Sequence, residues 1–243
     1  GTTWLQEIIW LIQNEADTET ANQRSVWSRI PLIESAPPSV KSGIDQVLQQ
    51  MEPRLFKSHL PVKFWKSKVR KSGAKVIVVM RNPKDNLVSY YHFISMVYPE
   101  IKMSWQQWFD NFHMGETLYG GWLNHVHDWF EEFKNDDNVL FLKYEDLKSN
   151  TQLAVDQMAE FLGKNLTDQQ KETILHHTAF KNMQKNPATN LKNVTFLNQE
   201  KVAFQRKGQV GDWKNYFTEE QSEILEEMCK EKLEGTGLEF EYE

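Results

Sequence analysis

The sequence predicts an α/β fold, a single domain with a central parallel β-sheet flanked by helices, and two stretches carry that prediction. Val76–Met80 is an apolar run short enough for one strand and apolar on both faces, as a parallel strand covered by helices reads. Val139–Leu142 is a second such run, ending in the polar residues Lys143, Tyr144, Glu145 and Asp146, so that the strand is expected through Asp146. Each run is followed by a helical pattern, the alternation that builds parallel sheets.

The chain of 243 residues, 40% hydrophobic and 26% charged, is long enough to bury a core without disulfides or metals. Its net charge of −6 argues against nucleic acid as the main partner, while leaving room for a local basic pocket. The single cysteine, Cys229, excludes an internal disulfide and fits a reducing, cytoplasmic setting. No apolar run approaches the ~18 to 20 residues of a membrane span, so no membrane association is expected. The chain opens on Gly1, inside a motif, and any upstream targeting segment is out of view.

Gly1-Thr2-Thr3-Trp4 leads into a helix with Leu5, Ile8, Ile9 and Ile12 at helical spacing. Glycine and hydroxyl residues at a helix start suit an anion, although threonine is also a common cap. Residues 14 to 39 read as an irregular polar loop ending in Pro37-Pro38, with a short helix from Ser39 to Met51. Leu55 and Phe56 read as a short strand stopped by Pro61, which places Lys57 and His59 on one strand face at period two. A lone histidine is more often structural, but a Lys-x-His pair at a strand end also suits catalysis.

After Val76–Met80, Arg81 stands at the strand end, Asn82-Pro83 forces a turn, and Pro83 and Asp85 suit the start of the next helix. Arg81 with Ser89, two turns on, fits a phosphate or sulfate at the carboxyl edge of the sheet; an ordinary salt bridge is the alternative. Residues 102 to 134 read as two helices with aromatic stripes that pack the core, broken at Gly115 and Gly120-Gly121. His125 and His127 fall on different helix faces and do not make a metal site. Helices follow at Thr151 to Leu162, closed by Gly163, and from Thr167-Asp168 to about His177. Residues 178 to 205 read as mixed polar chain around a proline turn. Arg206-Lys207-Gly208, with Gly211 three on, offers two cations on a backbone able to wrap an anion. A charged, exposed helix from Glu219 to Leu233 ends the reading.

Taken together the motifs resemble the cytosolic sulfotransferase family along nearly the whole chain. The family's nucleotide loop, Y-P-K-S-G-T-T-W, is matched by Gly1-Thr2-Thr3-Trp4 alone, as though the chain began inside the loop. A second signature is met by Arg81-Asn82-Pro83-Lys84-Asp85 with Ser89-Tyr90-Tyr91. The third, R-K-G-x-x-G-D-W-K-N-x-F-T, is met at every fixed position from Arg206 to Thr218. Lys57-Ser58-His59-Leu60-Pro61 and Tyr144-Glu145-Asp146 match two further segments, in the family's order.

The resemblance implies a P-loop nucleotide-kinase-like sulfotransferase fold over residues 1–243, with 3′-phosphoadenosine 5′-phosphosulfate as donor and no metal. By that resemblance Gly1, Thr2 and Thr3 hold the 5′-phosphosulfate, and Trp4 and Phe204 flank the adenine. Arg81, Ser89, Arg206, Lys207 and Gly208 bind the 3′-phosphate, while Tyr144, Thr178, Phe180 and Met183 line the base. Ala179 stands where relatives usually carry serine, which removes one polar contact. His59 is the expected general base and Lys57 the cation on the moving group. The family's loop lysine and the strand feeding the loop would precede Gly1, so this chain by itself is expected to bind nucleotide weakly. A family dimer motif keeps Lys214, Thr218 and Glu223 but has Glu219 for valine, which implies a weak homodimer or a monomer. Leu32 and Ser35 replace two acceptor-wall phenylalanines, implying a roomier pocket for a small organic acceptor, one favouring aliphatic alcohols or larger rings over small phenols.

The chemistry is consistent with this on independent grounds. Sulfuryl transfer, like phosphoryl transfer, depends on positioning and charge stabilisation, and an imidazole can take the acceptor's proton near neutral pH. A P-loop kinase is disfavoured because it needs a magnesium system and the full Walker lysine motif. A nucleotide-binding relative without turnover is disfavoured by the intact Lys57 and His59. A Golgi carbohydrate sulfotransferase is disfavoured by His59 and the single cysteine.

Overall fold

The computed structural model describes residues 1–35, 41–200 and 202–243. The chain forms two compact units, one of Gly1–Leu60 with Asn150–Val194, the other of Pro61–Ser149 with Thr195–Glu243.

The second unit contains the sheet. Strand β1 (Val76–Met80) pairs in parallel with β2 (Val139–Lys143), Val76 opposite Val139 and Met80 opposite Lys143. Among the described residues these two strands make up the whole sheet. The parallel sheet therefore stands as read, but narrower than a central sheet. The crossover that parallel pairing requires runs through helices Pro83–Val97, Trp105–His113 and Trp122–Phe133. Their aromatic stripes are core, as their spacing predicts: Trp108, Phe109, Phe112 and Val126 pack with Met80, Leu87, Leu225, Cys229 and Leu233. The last three belong to helix Glu219–Leu233, which is therefore not simply exposed. Its apolar residues Ile224, Leu225, Met228, Cys229 and Leu233 recur at helical spacing inside a Glu/Lys-rich sequence, and that stripe is enough to dock it.

Two turns fix the carboxyl ends of the strands. After β1, Asn82 caps helix Pro83–Val97 by accepting the Asp85 N–H, with Pro83 at the first turn. After β2, helix Tyr144–Ser149 begins at once, instead of the strand continuing through Asp146. The helical turn carries the Glu145 carboxylate onto Asn82, where Oε1 accepts both the backbone N–H at 3.0 Å and Nδ2–H at 2.9 Å. Neighbouring strand ends are thereby tied together beyond the ladder.

The first unit is helical around Thr2–Gln13, which buries Leu5, Ile8, Leu11 and Ile12. The following stretch is not irregular: Asp17 and Ser25 cap short helices Thr18–Gln23 and Val26–Arg29. Pro37-Pro38 and the start of the helix expected at Ser39 lie outside the described residues; the helix observed there is Gly43–Leu48. The strand expected at Leu55–Phe56 is absent. A single parallel bridge joins Leu32 to Lys57 instead, because the short apolar run Leu55–Phe56 finds no longer partner among the described residues, and Phe56 stays exposed. Helices Thr151–Phe161 and Asp168–His177 form as their periodicity and the Thr167 cap predict. Residues beyond Thr178 are more ordered than a proline turn, with helices Phe180–Lys185 and Pro187–Asn190. No described helix is long and apolar enough to cross a membrane.

Beneath the first helix lies a buried charge cluster. Glu7, fully buried, accepts from Arg29 Nη2 at 2.6 Å and lies 3.0 Å from His177 Nε2. Burial pulls the Arg29 guanidinium below its ordinary pKa, opposed by the Glu7 charge. Arg29 also lies 4.6 Å over the Trp10 ring. Removing one partner of such a pair strands the other charge in the core. Glu7→Ala is expected to destabilise the protein by about 3 to 5 kcal/mol in urea unfolding; a loss below about 1 kcal/mol, the range of exposed pairs, would show that Arg29 is solvated.

Candidate active site

In the second unit, the Asp85 carboxylate organises a basic loop. Completely buried, it accepts the Gly211 N–H at 2.8 Å and the Trp213 N–H at 3.0 Å, and lies 3.5 Å from Arg81 Nη2. Gly211 has φ +83° and Gly208 φ +63°, a region open to glycine at low cost, so the loop can fold back on itself between them. Asp212 is buried behind it and takes hydrogen bonds from Arg206, from Lys207 Nζ at 2.6 Å and from Asn215 Nδ2 at 2.8 Å. Burial pushes the Asp212 carboxyl upward, but these donors outweigh it and hold the group down to about 2.

Arg81 donates to the Gln209 carbonyl at 2.8 Å, and its guanidinium sits 4.5 Å over the Tyr144 ring. Its Nε–H is buried with no hydrogen-bond partner among the described residues. A buried donor in that condition costs about 1 to 3 kcal/mol, and it is the group an anion would satisfy. Burial raises the Tyr144 hydroxyl, against the charges of Arg81 and Arg206, so it stays a neutral donor. Ser89 lies on helix Pro83–Val97, which follows Arg81, and is exposed. Phe204 packs against Phe93 with ring centroids 6.4 Å apart. His92 was not singled out by sequence. Burial first, then the Arg206 and Lys207 charges, lower it to about 4, and its Nε2 lies 2.7 Å from the Tyr216 hydroxyl. At neutral pH it adds no charge to the cation cluster.

In the first unit, Gly1 caps Thr2–Gln13 without a side-chain bond, and Thr2, Thr3 and Trp4 form its half-buried first turn. Amides in a first turn point out of the helix, along its positive end. Lys57 is held by its bridge: its N–H donates to the Pro31 carbonyl at 2.9 Å, and its own carbonyl accepts from Ile33 at 3.0 Å. Burial brings its ammonium down to about 8, opposed by the Glu34 charge, and Nζ lies 4.7 Å over the Trp27 ring. The His59 N–H donates to Glu34 Oε1. Lys57 is thus placed by one bridge and the His59 N–H by Glu34, in the absence of the shared strand that the sequence predicts.

Thr178 and Met183 are buried and Phe180 is half-buried, at the junction of helices Asp168–His177 and Phe180–Lys185. The Thr178 hydroxyl donates to the Ile174 carbonyl at 2.8 Å. Ala179 is the N-cap of the second of these helices and offers no side-chain acceptor. A serine there would also cap that helix, a contribution of about 1 kcal/mol. Thr218 likewise has a local task, capping helix Glu219–Leu233 in a reciprocal bond pattern with Gln221, and Glu219 sits exposed at that helix's positive end.

The residues that sequence reasoning missed are Asp212, His92, Glu145 and Glu34. Asp212 had a signal, its fixed place in Gly-Asp-Trp, and His92 follows Ser89 by one helical turn. Glu34 had none, because 23 positions separate it from Lys57.

A family model described as "Sulfotransferase domain" matches residues 1–237. Sulfotransferase 1B1 of Canis lupus familiaris is 39% identical over 247 residues, covering 100% of this chain and 83% of the relative. Sulfotransferase 1E1 of Bos taurus is 39% identical over 244 residues, covering 99% of this chain and 82% of the relative. Among solved structures, retinol dehydratase in complex with androsterone and the inactive cofactor PAP superposes with TM-score 0.87 at 24% identity, over 99% of this chain and 79% of that one. That likeness establishes the fold. A mouse sulfotransferase complexed with PAP superposes with TM-score 0.74 at 29% identity, over 97% of this chain and 80% of that one.

The Asp212 arrangement has a pH signature. A carboxyl at about 2 in the folded chain against an ordinary 3.8 contributes stability fully present above about 4 and lost as pH falls toward about 2. The difference in Tm between wild type and Asp212→Asn is expected to be constant from pH 5 to 7 and to shrink across that acid window. A difference that does not change with pH would show that the cations leave Asp212 in solution.

Proposed function

The chain belongs to the sulfotransferase family of enzymes, and on that premise we propose that it transfers a sulfuryl group from 3′-phosphoadenosine 5′-phosphosulfate to a hydroxyl or amine of a small organic acceptor, with His59 as general base. The observation that carries the donor assignment is the cluster of Arg81, Arg206 and Lys207 around buried carboxylates, with a buried Arg81 N–H lacking a partner. The PAP complex of the mouse relative supports the same donor class.

On this reading Arg81, Ser89, Arg206, Lys207 and the Gly208 amide hold the 3′-phosphate. Tyr144, Thr178, Phe180 and Met183 line the base, and Trp4 and Phe204 flank it. The Gly1 amide with Thr2 and Thr3 receives the 5′-phosphosulfate at the positive end of the first helix. The donor supplies the activated sulfuryl group. His59 takes the acceptor's proton as attack proceeds. Lys57, cationic at neutral pH since its amine lies at about 8, steadies charge on the group in transit. Leu32 is bridged directly to Lys57, so an apolar acceptor wall adjoins the transfer lysine. With Leu32 and Ser35 in place of aromatic rings, we assign the acceptor to bulkier or aliphatic hydroxyl compounds in preference to small planar phenols.

Two experiments separate these roles. His59→Ala is expected to lower turnover by about 10² to 10⁴-fold with donor affinity nearly unchanged; full turnover in that variant would remove His59 from the chemistry. Arg81→Ala and Arg206→Ala should weaken 3′-phosphoadenosine 5′-phosphate far more than 5′-AMP in calorimetry, by roughly 1.5 to 3 kcal/mol for each charge-assisted bond. Equal losses for the two nucleotides would mean that these arginines read something other than the 3′-phosphate.

A further inference from the structure

We propose that Glu34 is a positioning residue for the transfer step: its carboxylate fixes the Lys57–His59 segment and keeps the Lys57 ammonium charged. The inference rests on the assignment of Lys57 and His59 as the transfer residues, and it starts from the bonds that hold their backbone.

Residues that deliver a base and a cation need a rigid frame, and a β-ladder would normally provide one. Here the ladder is one bridge long. Lys57 exchanges backbone bonds with Pro31 and Ile33, and among the described residues the ladder goes no further. Two residues on, where a continuing strand would offer its next inward donor, the His59 N–H goes to the Glu34 side chain. Glu34 lies just past Ile33 on the partner segment, so its carboxylate takes over where the backbone pairing ends. A charged acceptor makes a stronger bond than the carbonyl it replaces.

The other carboxylate oxygen points to the second role. Glu34 Oε2 is buried with no hydrogen-bond partner among the described residues. A buried carboxylate oxygen without a donor is unfavourable unless a cation's field compensates it. The Lys57 ammonium lies 4.7 Å over the Trp27 ring, and the Glu34 charge works against the depression that burial imposes. Both favour the protonated amine. The partner segment is itself anchored, since Gln6 Nε2 donates to the Ile30 carbonyl at 2.7 Å and Arg29 is locked to Glu7. Glu34 therefore works from a fixed base.

The test uses the whole enzyme with Glu34→Gln, Glu34→Ala and Lys57→Met. Three readouts apply: hydrogen exchange of the His59 amide, the pH midpoint of Lys57 acylation by acetic anhydride followed by mass spectrometry, and kcat against pH. Glu34→Gln keeps an acceptor oxygen but loses the charge. It should leave His59 protection within about threefold, while moving the Lys57 acylation midpoint and the alkaline limb of kcat down by about one pH unit, as loss of a nearby opposite charge does. Glu34→Ala should in addition expose the His59 amide and lower kcat at neutral pH at least about tenfold, the order expected when a base is mispositioned. A merely structural glutamate would not move the acylation midpoint in the glutamine variant, and an unmoved midpoint there overturns the proposal. Full turnover in Lys57→Met would instead overturn the assignment of the transfer residues, while the acylation and exchange results would still decide whether Glu34 holds the segment.

Discussion

The buried Asp85 carboxylate is the interaction on which the basic side of this protein depends. It lies at the positive end of helix Pro83–Val97, accepts two backbone N–H groups from the Gly211–Trp213 turn, and faces Arg81. Two hydrogen bonds to a charged acceptor are worth roughly 1.5 to 3 kcal/mol each. They join segments 126 and 128 positions apart in sequence. Without that anchor the glycine-bearing loop would be free to move, and Arg206 and Lys207 with it. The turn after β1 and the loop before the final helix are thus one construction, and neither is meaningful alone.

The same device recurs with different outcomes. Glu145 ties the two strand ends through Asn82, and burial raises its carboxyl even as the Asn82 bonds oppose that. Glu7 neutralises Arg29 in the helical unit, and Asp212 collects Arg206 and Lys207. Each carboxylate is buried, and burying a charge is unfavourable unless donors surround it. What the arrangement gains is orientation: a cation in a fixed ion pair cannot swing away, whereas an exposed lysine or arginine samples many rotamers. Lys84 shows the purely structural version. Its amine meets Ser222 and Glu226 and lies 4.0 Å over the Trp213 ring and 4.8 Å over the Tyr242 ring, docking the final helix on the same turn.

Much of this was legible in the sequence, and the reason is local. Val76–Met80, Arg81 and Asn82-Pro83 describe a strand, its end and a capped helix in consecutive residues, and the structure has all three in those places. Arg206 to Trp213 was legible as an anion loop because two adjacent cations stand beside a glycine, with a second glycine three on. The strand at Leu55–Phe56 was misread because an apolar run of two residues says nothing about whether a partner of matching length exists. The burial of helix Glu219–Leu233 was missed because the few apolar residues of its inner face stand amid a majority of charged and polar ones. Asp85 was read as a helix-dipole partner, which it is, but its bonds to Gly211 and Trp213 are tertiary and leave no local trace. Glu34 is the extreme case: its importance follows only from the bridge that sets Leu32 beside Lys57.

Asp212 bears on how an anion could be held at all. Arg206 and Lys207 are adjacent in sequence, so their charges repel, and in an open loop they would separate. Asp212 takes both, one on each oxygen, and Asn215 adds a neutral donor. The repulsion is thereby offset during folding, before any ligand arrives. A carboxylate carries one negative charge, so two cations bound to it keep a net positive charge of one, and Arg81 adds to it against Asp85. A phosphate dianion meeting such a cluster gains from cations already oriented, and it need not displace Asp212 to do so, because guanidinium and ammonium groups each keep donors beyond the one given to the carboxylate. His92, held neutral at about 4, neither competes as an acceptor for protons at neutral pH nor adds repulsion. The loop is therefore organised to present positive charge in one orientation, a condition that a sequence count of lysines and arginines, dominated here by a net charge of −6, conceals.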